Sequence, residues 1–444
     1  MKKTFTLEIE KIVYGGGGMG RINGKVAFIP FTAPGEKVQV EVVREKKDYI
    51  EAILQTVEQK SPWRVKPFCD LFGKCGSCHY QHIAYPEQLK LKEEMLQGSL
   101  SPLTDRERLE QMPVLPSPYD RGYRIRAQLK AGWVGGKKVL GFYGLKTHRL
   151  VEVKACPLLH PLANEILQGV QKWMGKKEGM AVQDVEIQVS PDEGKGVVQL
   201  KVEGSCSLQM AESLGKEIPT VKGVILAGRR KSFSWGNSIL SYQWPEILGK
   251  GPLRIRTSYD SFSQVNPYQN WNLMKMVVEW ADLKGREKGV DLYCGSGNLT
   301  LPLAQRAMKV WGVDQDRRAI EMALKNAREN KLNNCAFIAA GAEAGIKRIV
   351  QEAVSVDFIL LDPPRAGANK EVLNALTLLR PQKIFYVSCE PPTLMRDLVR
   401  LQDLGYHVTR IQPLDMFPQT YHIELITELS AISGQQCGGK NCLN

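Results

Sequence analysis

Hydrophobic and polar positions alternate with a period of two along Thr6-Leu7-Glu8-Ile9-Glu10-Lys11-Ile12-Val13, which predicts a β-strand with one buried face. The same pattern returns over Val26–Pro30, Lys37–Val43 and Tyr49–Leu54. Gly15-Gly16-Gly17-Gly18 predicts a loop, and Ala33-Pro34-Gly35-Glu36 a turn. Several short strands within residues 4 to 58 fit a small barrel of the OB type, a scaffold that commonly binds oligonucleotides. The glycine run lacks the Lys-Ser/Thr ending of a P-loop, and no helix follows it.

Beyond the barrel the period changes. Residues 85–103 predict a helix, with Leu89, Met95 and Leu96 on one face. Ser101-Pro102 and the proline-rich 112–118 segment interrupt regular structure. Tyr123–Lys130 alternates as a strand that sets Arg124 and Arg126 on one face, and solvated surface is the plainer reading of both. Segments 185–189, 196–202 and 224–226 extend a mixed α+β region. From 256 onward helices and strands alternate, the pattern of a doubly wound sheet. The expected organisation is multidomain α/β: residues 1–60 an OB-like barrel, 61–255 a central α+β domain, and 256–444 a Rossmann-like domain.

A chain of 444 residues is too long for one ordinary domain. The start of the chain lacks the apolar core of a signal peptide, and no apolar run reaches membrane-spanning length. A cytoplasmic protein without membrane association is expected, with its ten cysteines reduced and any clusters serving metal binding or catalysis. The formal charge of +13 suits a polyanionic partner such as nucleic acid.

Cys69, Cys75 and Cys78 stand close together, the last two in a Cys-x-x-Cys frame. Two thiolates so spaced reach one metal centre, and Cys156 is the best fourth ligand. Zinc and iron–sulfur both accept four thiolates, so the ligand count leaves the metal open. The spacing argues against the radical cleavage of S-adenosylmethionine and favours a redox-inert centre. His79 and His82 read as ordinary surface residues.

In the last part, Lys288–Tyr293 is an apolar strand that contains Asp291 and runs into Cys294-Gly295-Ser296-Gly297-Asn298-Leu299-Thr300. A glycine turn after a strand is by itself weak evidence. Val310–Asp314 then ends in a carboxylate suited to ribose hydroxyls, and Asp357–Arg365 ends in Asp362-Pro363-Pro364-Arg365. Thr300 stands where a dinucleotide fingerprint has its third glycine, which disfavours NAD. The combination reads as a class I methyltransferase domain that binds S-adenosylmethionine, with Cys294 packing the turn. Cys389 follows the strand Lys383–Val387, at the strand end where such sheets bind ligands.

A methyl donor beside a thiol suggests one chemistry. Carbon-5 of uracil becomes nucleophilic only after a thiolate adds at carbon-6, and a base must later remove the carbon-5 proton. His422 and Glu424 share a strand face, and either could be that base.

The segments Asp291–Gly297, Asp362–Arg365, Ser388-Cys389 with Pro391 and Thr393, and Met416-Phe417-Pro418 with His422-Ile423-Glu424 resemble the RNA uracil-carbon-5 methyltransferases. Tyr14–Gly20, Val26–Pro30 and Pro34-Gly35-Glu36 resemble a TRAM domain. The resemblance implies RNA binding, Cys389 as nucleophile, Glu424 as base, and S-adenosylmethionine contacts from Gln264, Tyr293, Asn298, Asp314 and Asp362, with Glu343 a looser match near the adenine. It implies a [4Fe–4S] cluster on Cys69, Cys75, Cys78 and Cys156, which shapes the RNA-binding surface. Cluster and TRAM together imply an enzyme of ribosomal RNA processing that makes 5-methyluridine in 23S rRNA, and a monomer is expected. The alternatives are a tRNA T-loop uridine and a non-catalytic iron–sulfur RNA-binding protein.

A cytosine-carbon-5 enzyme is disfavoured, because Ser388 and not proline precedes the nucleophile. Glu390 replaces the family's usual Asn and is expected to cap the following helix. Gln419 and Tyr421 also depart from the usual residues, and Cys437 and Cys442 read as part of a disordered tail.

Overall fold

A computed structural model of the chain describes residues 3–104, 109–176, 181–229, 231–352 and 355–432; Cys437 and Cys442 lie outside them. Three large sheets organise it. The first has six strands in the order Thr4–Glu8, Lys37–Glu45, Tyr49–Gln59, Lys25–Ile29, Gly18–Ile22 and Lys11–Ile12. Alternation along these strands turns Leu7, Ile22, Ala27, Ile29, Val38 and Val40 inward. The first predicted strand is broken in two between Glu8 and Lys11, and the end of the glycine run enters a strand at Gly18.

The second sheet has seven strands and holds Arg126–Val134, Ala181–Ser190, Lys195–Glu203 and Val221–Gly228. Its apolar face is covered by the helix Pro161–Gly175, which buries Ile166, Leu167, Val170 and Trp173. Arg126 is tied down by Glu186 and by the carbonyl of Ser261, so it braces the sheet and is not freely solvated.

The third sheet runs Cys335–Ala339, Lys309–Asp314, Lys288–Leu292, Phe358–Leu361, Lys383–Ser388, Glu424–Ala431, Tyr406–Leu414 and Glu110–Gln111. The first five are parallel, and Glu424–Ala431 enters antiparallel beside Lys383–Ser388. Strand order reverses on either side of Lys288–Leu292, and ligands bind outside the carboxyl ends at such a switch point. The edge strand Glu110–Gln111 and the helix Tyr85–Ser99 come from far upstream. Leu96, Leu100, Leu103 and Val114 pack into the core of this third sheet. Among the described residues no helix is long and apolar enough to cross a membrane.

Candidate active site

The strand Lys288–Leu292 ends in a tight turn. Tyr293 (φ 66°), Gly295 (φ 53°) and Gly297 (φ 91°) take left-handed conformations, which cost glycine little and tyrosine more. The turn closes because Tyr293 N donates to Val313 O at 2.8 Å and Gly295 N to Asp314 Oδ2 at 2.9 Å. Beside it lies a cleft with about 650 Å³ of empty space, open solvent included, lined by Gln264, Asn270, Asp291, Tyr293, Asn298 and Asp362, among others. Asn298 and Asn270 exchange two amide hydrogen bonds of 2.9 Å.

Four of the five residues expected to contact a cofactor therefore share one cavity. Asp314 is not among its lining residues, and its carboxylate accepts from the amides of Gly295 and Asp316. Glu343 is likewise not among the lining residues, and it pairs with Lys347. The motif reading gave Asp291 no role. It is buried, takes the Thr300 hydroxyl on Oδ2 at 2.5 Å and leaves Oδ1 without a partner. Burial pushes its carboxyl up to about 8, with Asp362 and Asp314 adding to the rise.

Next to this cavity two strand ends meet. Ser388 pairs with Leu425 in the antiparallel ladder, and one further step of that register sets Cys389 against Glu424. Opposed residues of such a pair point to the same side. Burial pushes the Cys389 thiol up to about 11; Glu424 and Asp362 add to that rise, and Arg365 opposes it. Burial, then Asp362, holds the Glu424 carboxyl well above its ordinary range, while burial brings Asp362 to about 7. Burial drops His422 to about 3, helped by the cations Arg365, Lys92 and Arg124. Cys294 is buried against the turn, as expected of a packing residue.

Glu390 does not cap the helix Pro391–Asp403: its side chain makes no capping bond. Pro391 and Pro392 leave two of the first-turn positions without N–H groups. The carboxylate instead accepts from the Tyr14 hydroxyl of the first sheet's glycine loop. Nor are the two histidines surface residues. His82 is buried, with Nε2 3.0 Å from Thr32 O. His79 lies half-buried, its ring 4.8 Å from Tyr421, and its backbone N donates to Gln419 O.

A second cavity, of about 350 Å³, is lined by Cys69, Cys75, Cys78 and Cys156 with Phe72, Gln81 and Phe142. Asn164 holds Cys156 in place through the residue's own N and O, at 2.8 and 2.9 Å, and Gln81 accepts from Cys69 N. Burial raises Cys78 to about 12, and the other three cysteines add to the rise. Among the described residues, no group of three or more His, Cys, Asp or Glu is arranged to hold a single metal ion. The described cysteines are free of disulfides. Four thiols around one cavity fit a thiolate-bound metal centre, and zinc and an iron–sulfur cluster both accept such a ligand set.

A doubly wound sheet with an antiparallel insertion, and a cavity at its switch point beside a thiol and a carboxylate, suit the class I methyltransferases. Comparison with known proteins narrows the class. The family model described as tRNA (uracil-5-)-methyltransferase matches residues 246–431, and the TRAM domain matches residues 2–54. An uncharacterized RNA methyltransferase of Caldanaerobacter subterraneus is 33% identical over 444 residues, covering 95% of this chain and 97% of that protein. One from Aquifex aeolicus is 34% identical over 432 residues, covering 96% and 98%. The chain belongs to the RNA (uracil-5-)-methyltransferases. Its fold is shared with the Pyrococcus abyssi tRNA (uracil-54, C5)-methyltransferase solved with S-adenosyl-L-homocysteine: TM-score 0.75, 24% identity, 95% of this chain and 100% of that one.

Proposed function

We propose that this enzyme methylates carbon-5 of a uridine in RNA, with Cys389 as nucleophile and Glu424 as base. The supporting observation is that Cys389 and Glu424 stand one step beyond the last rung, Ser388 with Leu425, of one antiparallel strand pair, beside a cavity that shares Asp362 with the pair's surroundings. S-adenosylmethionine held by Gln264, Tyr293, Asn298, Asp314 and Asp362 supplies an electrophilic methyl group. The target uridine leaves its stack to reach the cleft. The Cys389 thiolate bonds to carbon-6, the ring electrons move onto the carbon-4 carbonyl, and carbon-5 becomes nucleophilic. After methylation Glu424 takes the carbon-5 proton, and the returning electron pair expels the thiolate. Arg365 favours the thiolate. Burial makes the Glu424 carboxylate a stronger base, whereas the depressed His422 is a poor one.

Cys69, Cys75, Cys78 and Cys156 would hold a [4Fe–4S] cluster that organises the loop carrying His79. The preferred substrate is 23S rRNA, on the pairing of the four cysteines with a TRAM module. The full-length likeness to the Pyrococcus enzyme favours the second reading, a tRNA T-loop uridine.

Two variants test the chemistry. Cys389→Ala should lose methyl transfer yet bind S-adenosylmethionine; retained turnover would refute the mechanism. Glu424→Gln should accumulate a covalent RNA adduct on a denaturing gel, and normal product release would remove Glu424 from its role. Mapping 5-methyluridine in cells with and without the gene distinguishes rRNA from tRNA.

A further inference from the structure

Tyr14 lies in the loop that joins Lys11–Ile12 to Gly18–Ile22, and this loop is seated on the catalytic side of the third sheet. Its ring meets Tyr421 edge-on with centroids 5.5 Å apart. A Cβ added at Gly16 would lie 3.1 Å from Tyr421 Cδ1 and 3.2 Å from His79 Cβ. The Tyr14 hydroxyl donates to Glu390 Oε1, and Glu390 follows Cys389 directly in the chain. The helix start makes no use of this carboxylate, and Glu390 N is taken by Ser388 Oγ at 3.2 Å. Tyr14 therefore sets where the Glu390 carboxylate goes.

That direction matters because the thiol already stands in a crowd of acids. Glu424 reaches it from the paired strand and Asp362 from the end of Phe358–Leu361, against Arg365 as the favourable cation. Glu390, although adjacent in the chain, has its carboxylate engaged by the Tyr14 hydroxyl. We propose that Tyr14 is a positioning residue for the methyl-transfer reaction: its hydroxyl holds the Glu390 carboxylate away from Cys389, so that seating of the barrel keeps the nucleophile competent. The inference rests on Cys389 as the nucleophile. It makes the TRAM barrel part of the catalytic apparatus as well as an RNA grip.

The test is iodoacetamide alkylation of Cys389, followed by peptide mass spectrometry across a pH series. It uses the full-length protein without RNA or S-adenosylmethionine. Tyr14→Phe should lower the alkylation rate about fivefold at a given pH and move the midpoint upward by about 0.7 unit, the effect of one more unit charge about 7 Å away in partly screened surroundings. Glu390→Gln in the Tyr14→Phe background should restore the rate, because the charge is gone. An unchanged rate in Tyr14→Phe would overturn the proposal. So would a double variant as slow as Tyr14→Phe, since the barrel contact would then act by some route other than the carboxylate. Failure of Cys389 as nucleophile reads out separately, as methyl transfer by Cys389→Ala.

Discussion

Lys92 is fully buried in the middle of the helix Tyr85–Ser99, and its ammonium donates to Asp415 Oδ1 at 2.5 Å. The same ammonium reaches Phe417 O at 3.3 Å, and Tyr85 donates to Asp415 Oδ2 at 2.8 Å. These contacts strap down the segment leading from Leu414 to Glu424. At an effective dielectric constant of about 20, opposite charges at this separation attract by roughly 6–7 kcal/mol, against a desolvation penalty of several kcal/mol per ion. The intact pair is thus worth little net, but removing one partner strands a buried charge. Lys92→Met should cost about 3–5 kcal/mol. At about 2–4 °C per kcal/mol for a unit of this size, that is a drop of about 6–20 °C in melting temperature. Lys92→Met/Asp415→Leu should recover most of it, and the turnover number should recover with it as the segment before Glu424 is held again. Calorimetry of the three proteins checks this. A double variant that melts as low as Lys92→Met would refute the reasoning, because the loss could not then come from an uncompensated carboxylate.

Three further outcomes are expected. Burial alone would raise the Glu36 carboxyl, but hydrogen bonds from Arg64 and Ala33 outweigh it and hold it below its ordinary value. Its stabilisation is therefore complete above about pH 4.5 and is lost as pH falls through the lower folded value. Glu36→Gln should cost about 1.5–3 kcal/mol at neutral pH and nothing in strong acid; equal losses at both would contradict the sign. Gly16 (φ 82°) faces Tyr421 and His79, so Gly16→Ala should cost about 1–3 kcal/mol of backbone strain and lift the loop. RNA methylation kcat/KM should fall about tenfold while cofactor affinity measured by calorimetry stays unchanged. Cys156→Ser, purified without air, should lose most of its bound iron and acid-labile sulfide. Retention of the wild-type content would exclude Cys156 as a ligand.

The short-range patterns of the chain carried much of the fold. Period-two alternation marked most strands of the first sheet, and the apolar runs before Tyr293, Asp314, Asp362 and Cys389 marked the parallel core of the third. The need for a fourth thiolate pointed to Cys156, which lines one cavity with the other three cysteines. What stayed hidden depends on partners distant in sequence. Gln88 and Lys92 are polar residues of the helix Tyr85–Ser99, yet both are buried, because their partners Gln419 and Asp415 arrive from more than three hundred residues away. Glu110–Gln111 is too short to show a period, and it becomes a strand only by lying beside Arg410 and Ile411. The capping role for Glu390 failed beside two prolines, which remove two of the first-turn donors, and its carboxylate takes the Tyr14 hydroxyl instead. The Tyr14 partnership could not be read from a glycine run that is legible only as a loop. His79 and His82 sit in a polar stretch, and only packing against Tyr421 and the Thr32 carbonyl takes them out of solvent.

The rung formed by Ser388 and Leu425 separates what this protein can change from what it must keep. One residue inserted into either strand would turn Cys389 or Glu424, whichever that strand carries, to the opposite face of the sheet, so the spacing between thiol and carboxylate tolerates no gradual drift. The covering pieces obey no such parity: the glycine loop with Tyr14, the cysteine loop with His79 and the segment through Tyr421 are joined to the rung by side chains and single backbone bonds. Those pieces can therefore vary in length without shifting the register that sets Cys389 beside Glu424.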